Sequence, residues 1–183
     1  MGIFDRFKKK EPEYDPTQLS IKDLNMGFIF EYDLKTWVVD AIYEYDWGDN
    51  FFSYEYKINS GDEIKYLHIE EDDELIITIS DKIKPRAIDE DLPEFIEEHS
   101  KPPKKLIYQG MKFYFDKENP GYYHEVGKPD DNWVEFISWE YYDEQDKQVI
   151  TIEQWDEKEF EASYGIIAKE FEFSNILPKE GNT

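Results

Sequence analysis

Two stretches of this chain resemble each other, and a duplication constrains the fold more strongly than any single motif. The aligned segments are Met26-Gly-Phe-Ile-Phe-Glu31 with Met111-Lys-Phe-Tyr-Phe-Asp116, and Phe51-Phe-Ser-Tyr-Glu-Tyr56 with Phe136-Ile-Ser-Trp-Glu-Tyr141. The offset is 85 residues, and 26–56 shares 8 identities in 31 positions with 111–141. After a slip of two residues, 67–74 aligns with 150–157. The sequence therefore predicts two related units.

Both units have the apolar alternation of β-strands. A period of two predicts a strand that is buried on one face. The clearest runs are Thr36–Val39, Phe52–Tyr56, Tyr66–Ile69 and Leu75–Ile79, and Asn59-Ser-Gly-Asp62 has the composition of a hairpin turn. Four or five such strands per unit predict a mostly β fold of two tandem small antiparallel barrels or bent sheets. A single larger sandwich, with one sheet from each unit, is the alternative.

Composition divides the chain into five segments. We expect a basic and aromatic N-terminal segment with linker at 1–19, β-units at 20–81 and 106–178, a Pro-rich connector at 82–105, and a tail at 179–183. Within the connector, Ile88 to His99 predicts a short helix. Asp91 is its expected N-cap, and Pro93 falls in the first turn, where the missing N–H costs little.

The chain is strongly acidic, with 44 Asp and Glu against 21 Lys and Arg and a net charge of -23. Segments 26–80 and 106–178 carry -11 each. This charge excludes direct nucleic-acid binding, which needs Lys and Arg to neutralise phosphates. It favours a protein partner with a basic surface. An aromatic content of 17% supplies the apolar area that disordered acidic chains lack. With no cysteine there is no disulfide or thiolate chemistry, and we expect a cytoplasmic protein.

Several segments resemble the bacterial family known as domain of unknown function 4178. They are Leu24-Asn-Met-Gly-Phe-Ile-Phe-Glu-Tyr-Asp33, Thr36-Trp-Val-Val39, Tyr54-Glu-Tyr56 and Leu67-His-Ile-Glu-Glu-Asp-Asp-Glu74. The resemblance extends from about Ser20 to Pro178 if both units belong to it. The chain departs from the expected pattern at His68, where a tryptophan is usual. The resemblance implies a role near membrane-remodelling or membrane-stress proteins, and it implies no catalytic residues.

Acidic clusters near the ends of the aligned strands are candidate metal ligands. The candidates are Glu70, Asp72, Asp73, Glu153 and Asp156. Carboxylate oxygens suit hard cations, but the Asp-x-Asp-x-Asp-Gly loop of a calcium site is absent, so a solvated acidic turn is the favoured interpretation. His68 and Glu70 share one strand face, a geometry that a metal or a general base could use. With no catalytic motif, we expect no enzyme and no cofactor.

Aromatic residues near turns and two repeated glutamates are candidate partner contacts. These residues are Trp47, Tyr54, Glu55, Trp133, Trp139, Glu140 and Trp155. Glu55 and Glu140 occupy the same place in a Ser-aromatic-Glu-Tyr frame. A strand points each of them away from its aromatic neighbours, toward a ligand surface or toward solvent. We favour solvent, because acidic side chains are rarely buried without a partner.

The first ten residues have a different character. Apolar Ile3, Phe4 and Phe7 precede a basic run, Lys8, Lys9 and Lys10. This composition suits a short interfacial anchor on an anionic membrane. Docking onto a partner is an equal interpretation, and a frayed terminus is the simplest one.

We therefore expect a non-catalytic tandem β-module that binds a protein partner, with a weak contact to the inner face of the cytoplasmic membrane. An acidic decoy that imitates nucleic acid and occupies a DNA-binding protein is one alternative. A metal-dependent enzyme that uses the acidic clusters with His68 or His124 is the other. The sequence leaves the oligomeric state undetermined.

Overall fold

The computed structural model describes residues 18–128 and 132–179. The strands are β1 (Ile29–Tyr32), β2 (Lys35–Asp46), β3 (Phe52–Asn59), β4 (Ile64–Glu71), β5 (Leu75–Ile83), β6 (Lys105–Tyr108), β7 (Met111–Glu125), β8 (Val134–Asp143), β9 (Gln148–Asp156), β10 (Glu159–Ala168) and β11 (Ser174–Leu177). Two short helices, α1 (Pro85–Ile88) and α2 (Leu92–His99), join β5 to β6. Single 3-10 turns cover Ile21–Asp23 and Glu170–Glu172. The predicted mostly β fold is confirmed.

The strands of both predicted units lie in one antiparallel sheet. Its order is β11-β1-β2-β3-β4-β5-β10-β9-β8-β7-β6, and β2 also pairs with β7. This extra pairing, which sets Tyr43–Asp46 against Tyr122–Glu125, closes β2, β3, β4, β5, β10, β9, β8 and β7 into a ring of strands. The two halves of the chain thus build one enclosure rather than two separate sheets, and closure removes most exposed strand edges.

Two apolar cores lie on the strand faces that point away from the interior of the ring. The first core contains Phe30, Trp37, Ile58, Leu67 and Ile77, among others, and comes mainly from the first half, with Ala168 and Phe173 contributed by the second. The second contains Trp139, Tyr141 and Ile150 from the second half, covered by Leu92 and Ile96 of α2. Helix α2 begins as predicted after Asp91, with Pro93 in its first turn. Each fully buried apolar side chain of this size contributes about 1.5–3 kcal/mol.

A one-residue bulge in each long strand redirects its side chains. In β2, Trp37 and Val39 pack in the first core, and the pairing with β3 shifts between Val39 and Ala41. Beyond the bulge, the even-numbered Ile42 faces that core, while Tyr43 and Tyr45 turn toward the interior of the ring. An extra residue inverts the alternation of a strand, so one strand serves an apolar core and then a polar interior.

Strand β7 contains a bulge with the same effect. Its pairing with β8 shifts between Phe115 and Lys117. Phe113, before the shift, lies in the second core, whereas Lys117, after it, makes ion pairs inside the ring. Without the extra residue, Lys117 would lie on the same strand face as Phe113 and would point into the second core. The bulge turns it toward the interior of the ring.

The aligned segments occupy equivalent strands in two cases out of three. Segments 51–56 and 136–141 lie at or in β3 and β8, and 67–74 and 150–157 lie at β4 and β9. The remaining alignment places 26–31, at β1, against the start of β7, and these strands occupy different places in the sheet. The internal duplication stays a prediction.

The helices of the described part of the chain are short. None of them has both the length and the apolar character needed to cross a bilayer.

Candidate functional site

The interior of the ring is lined mainly by polar side chains. On β3, β4 and β5 the strand faces opposite the first core carry Ser53, Glu55, His68, Glu70 and Thr78. The second half supplies the facing polar set, Ser138, Glu140, Thr151, Glu153 and Ser163. Together these strands enclose a cavity of about 50 Å³, which has room for roughly three or four water molecules.

Two lysines form ion pairs inside the ring. Lys117 on β7 lies 3.6 Å from Glu140 on β8 and 3.7 Å from Glu70 on β4. Because β4 and β7 are not neighbours in the sheet, the second contact crosses the interior. Lys82 on β5 lies 3.1 Å from Glu161 and 3.6 Å from Glu153, with its ammonium 5.2 Å from the Tyr66 ring.

The two clusters correspond through the sequence alignment. Glu55 aligns with Glu140, and Glu70 aligns with Glu153. Glu140 and Glu70 share Lys117, while Glu55 and Glu153 lie in the field of Lys82. Each cluster therefore places glutamates from both halves of the chain around a single lysine.

Burial shifts the ionisation of the interior carboxyls. Removal from water raises the pKa of Glu55 to about 7, against the opposing effect of Lys82. Burial also raises the pKa of Glu140 and of Glu153, again opposed by the nearby lysine. Burial alone would lower the pKa of Lys82, but its carboxylate neighbours outweigh this effect and raise it. The interior thus increases the proton affinity of these three carboxyl groups.

A hydrogen-bonded chain holds His68 as a neutral ring. Burial, assisted by the charge of Lys117, lowers the pKa of His68 to about 4. Trp47 Nε1 donates to Ser53 Oγ at 2.8 Å, and Ser53 Oγ lies 2.8 Å from His68 Nε2. Ser53 Oγ therefore links the indole of Trp47 to the imidazole of His68. Near neutral pH, His68 is therefore an uncharged, hydrogen-bonded side chain in the lining of the cavity.

A cleft of about 460 Å³ shares Tyr45, Glu55 and Lys82 with the cavity. Its aromatic lining comprises Tyr43, Tyr45, Tyr66, Tyr123 and Trp155, and its carboxylates are Glu55, Asp156, Glu159 and Glu161. The Tyr123 ring lies 5.0 Å from Trp155 and 5.5 Å from Tyr43. Lys82 is the one lysine among these lining residues, so four carboxylates face one ammonium group.

The predicted partner contacts fall in four places: the cavity, the cleft, the second core and the outer surface. Trp47, Glu55 and Glu140 line the cavity, and Trp155 and Glu55 line the cleft. The favoured interpretation of Glu55 and Glu140 as solvent-facing residues is wrong, because ring closure brings both into the interior. Trp139 is 1% exposed in the second core and donates to Glu118, so its side chain offers no surface to a partner.

Tyr54 and Trp133 lie on the outer surface, each 39% exposed. The Tyr54 hydroxyl donates to Glu44 at 3.1 Å, and Glu44 Oε2 lies 2.8 Å from His124 Nε2 across the β2–β7 contact. The Trp133 ring is 4.1 Å from His124. These residues surround the line of closure and are separate from the cleft.

The predicted metal ligands do not come together. Glu70 and Glu153 lie inside the ring beside lysines, Asp72 and Asp73 are exposed in the β4–β5 turn, and Asp156 is at the cleft. Across residues 18–128 and 132–179, no group of three or more histidine, aspartate and glutamate side chains is arranged to hold a metal ion. The predicted membrane contacts, Ile3, Phe4, Phe7, Lys8, Lys9 and Lys10, lie outside the described residues.

Of the residues that line the cleft, sequence reasoning singled out Trp155, Glu55 and Asp156, the last as a candidate metal ligand, and missed the others. Tyr43, Tyr66 and Tyr123 come from three strands that only the closed ring brings together. One signal was present in the sequence. The change from Trp37 and Val39 to Ile42 breaks the period of two and marks the bulge that turns Tyr43 and Tyr45 inward.

Comparison with known proteins gives a family without an assigned activity. The profile of a domain of unknown function (DUF4178) matches residues 25–167. An uncharacterized protein of Aquifex aeolicus (strain VF5) is 30% identical over 185 residues, which cover 98% of this chain and 100% of the relative. No solved structure matches the chain.

Proposed function

Because the chain belongs to the DUF4178 family, whose name assigns no activity, we propose a function from the site itself: a non-catalytic β-module that binds a basic segment of a protein partner in the cleft. The carrying observation is the charge of the cleft lining, in which four carboxylates face only Lys82. A cation that enters this cleft replaces lost hydration with carboxylate contacts.

The aromatic lining supports the same ligand class. Tyrosine and tryptophan faces attract ammonium and guanidinium groups, and Lys82 already occupies such a position over Tyr66. A volume of about 460 Å³ is within the range of roughly 300–1,000 Å³ that is typical of ligand pockets. The net charge of -23 adds long-range attraction of a basic partner at low salt.

A location at the inner membrane surface belongs to this proposal as a secondary contact. Its support is the basic and apolar composition of residues 1–10. Deletion of these residues should abolish sedimentation with anionic vesicles. Sedimentation that persists without them would remove the membrane contact and leave the cleft unaffected.

The test of the cleft compares two triple variants with equal charge. In the first, Asp156→Asn, Glu159→Gln and Glu161→Gln neutralise the exposed carboxylates at the cleft. In the second, Asp72→Asn, Asp73→Asn and Glu74→Gln neutralise the exposed β4–β5 turn. Both raise the net charge equally, so only position distinguishes them.

Binding of a heptalysine peptide to the intact protein is measured by isothermal titration calorimetry. We expect the cleft variant to bind about tenfold more weakly than the unaltered protein, and the turn variant to differ by less than about threefold. Equal weakening in both variants would show that binding follows net charge alone, and this would overturn the proposal.

A further inference from the structure

Glu55 lies where the cavity meets the cleft, and it lines both. Its strand neighbour across the sheet is His68, which is neutral, and the Tyr45 hydroxyl donates to its Oε1 at 3.3 Å. In the described part of the chain no lysine or arginine nitrogen comes within 4 Å of this carboxylate, because Lys82 is directed to Glu161 and Glu153. Glu55 is therefore a carboxylate at the inner end of a cleft with an acceptor oxygen, Oε2, to which none of the residues in 18–128 and 132–179 donates.

The aligned residue Glu140 has the ion-pair and hydrogen-bond partners that Glu55 lacks. Glu140 lies 3.6 Å from Lys117, accepts from the Tyr142 hydroxyl at 3.1 Å and accepts from Asn119 at 3.4 Å. Charged acceptors gain most from charged donors. The two glutamates thus differ in their cations. Glu140 has a lysine nitrogen within 4 Å, whereas Glu55, which is reached from the cleft, has none within that distance among the described residues.

The surroundings restrict which cation fits. Tyr43, Tyr45 and Tyr123 line the approach with aromatic surface, which suits an unbranched alkyl stem. One carboxylate oxygen already accepts from Tyr45, so a single oxygen is left. An ammonium group is a compact donor that one oxygen satisfies, whereas a guanidinium group prefers two parallel acceptors.

We propose that Glu55 anchors an alkylammonium group, the side chain of a lysine in the protein partner, whose stem lies against the tyrosines of the cleft and whose nitrogen donates to Oε2. This inference rests on the proposed function and names the ligand class and the anchoring residue. Lys82 keeps its own carboxylates, so the ligand adds a cation to the cleft rather than replacing one.

The test uses n-butylammonium chloride as the probe, with the intact protein and two matched variants. Trp155, beside Tyr123, supplies a local signal through its indole NMR resonance. We expect saturable binding to the unaltered protein, a loss of about tenfold or more in Glu55→Gln, and a change of less than about twofold in Glu140→Gln, whose position is already paired. Equal binding by Glu55→Gln would overturn the inference.

Two further readouts do not depend on a variant. N-butylguanidinium should bind more weakly than n-butylammonium, and the reverse order would overturn the inference.

Binding of n-butylammonium should tighten from about pH 6 to about pH 8, because an ionised Glu55 is required. A flat or opposite profile would also overturn it. The charged and titratable groups that face Glu55 are Tyr43 and Tyr45 on β2, His68 on β4, Lys82 on β5, Tyr123 on β7, Glu153 on β9 and Glu161 on β10.

The outcomes separate this inference from the proposed function. If the cleft triple variant loses heptalysine binding while Glu55→Gln keeps both heptalysine and n-butylammonium binding, the cleft binds basic segments but Glu55 is not the anchor. If the triple variant keeps heptalysine binding, the proposed function itself fails.

Discussion

Replacing Glu55 by glutamine should change how stability depends on pH. Burial raises the pKa of Glu55 from 4.5 to about 7, so the folded protein holds this proton more tightly than the unfolded chain. The contribution of Glu55 to the unfolding free energy is therefore lost as the pH rises from 4.5 through 7. His68 acts in the opposite sense. Its pKa is lowered from 6.5 to about 4, and stability is lost as the pH falls between these values.

The expected magnitude follows from the size of the shift. A change from 4.5 to about 7 corresponds to about 3 kcal/mol of unfolding free energy. The contributions of Glu55 and His68 largely cancel each other between about pH 4.5 and 6.5, so comparison of Glu55→Gln with the unaltered protein is needed to isolate the contribution of Glu55. Glutamine imitates the protonated acid and removes the first contribution. The variant should match the unaltered protein near pH 4.5 and exceed it by up to about 3 kcal/mol near pH 8.

Urea unfolding, followed by tryptophan fluorescence and far-ultraviolet circular dichroism, measures this difference at a series of pH values. Glu74→Gln, on the exposed β4–β5 turn, is the matched control, because it removes the same charge without altering the cavity. The gain in Glu55→Gln should grow with pH, whereas the control should show no comparable growth.

A constant difference between Glu55→Gln and the unaltered protein across this range would refute the reasoning. It would mean that Glu55 has the same proton affinity in the folded and unfolded chains. The carboxyl would then be hydrated in the folded state, and the cavity would not be an environment of low polarity.

Three other predictions concern the same interior. Lys82→Met should lower the unfolding free energy by about 1–3 kcal/mol, less than for a fully buried pair because the lysine side chain is 34% exposed; urea unfolding against the surface variant Lys158→Met, whose side chain is 76% exposed, checks this, and equal losses would contradict it. Gly121→Ala should cost about 1–3 kcal/mol, because a Cβ there would lie 2.9 Å from Trp47 Cε3; an unchanged midpoint of thermal unfolding would show that the tryptophan moves aside. The His68 imidazole should stay neutral at about pH 5.5, which nitrogen chemical shifts measure, and a titration near 6.5 would contradict its burial.

The strands of the first half could be predicted because their apolar residues alternate over several positions. Tyr56, Leu67, Ile69, Ile77 and Ile79 all fall on one face, and all pack in the first core. The helix α2 could be predicted from its cap and proline. These features depend on residues that are close in sequence, so they can be predicted from local sequence patterns.

The inward face could not be predicted in the same way. Glu55, Glu70 and Glu153 alternate with apolar residues, and such a pattern ordinarily indicates a strand with one face in water. These residues lie inside only because β2 pairs with β7, a contact between positions about 80 residues apart. Trp139 was assigned to the surface for a related reason, since its frame does not reveal which face the second core covers.

The same long-range contact bears on how the chain acquires its structure. Each hairpin joins strands that are neighbours in sequence, whereas the β2–β7 and β5–β10 contacts need both halves to be present. During synthesis, we therefore expect the carboxylates of the first half to stay hydrated until the strands of the second half have left the ribosome. We expect ring closure, which strips that water away, to be the slow step of folding, because contacts between distant residues form slowly.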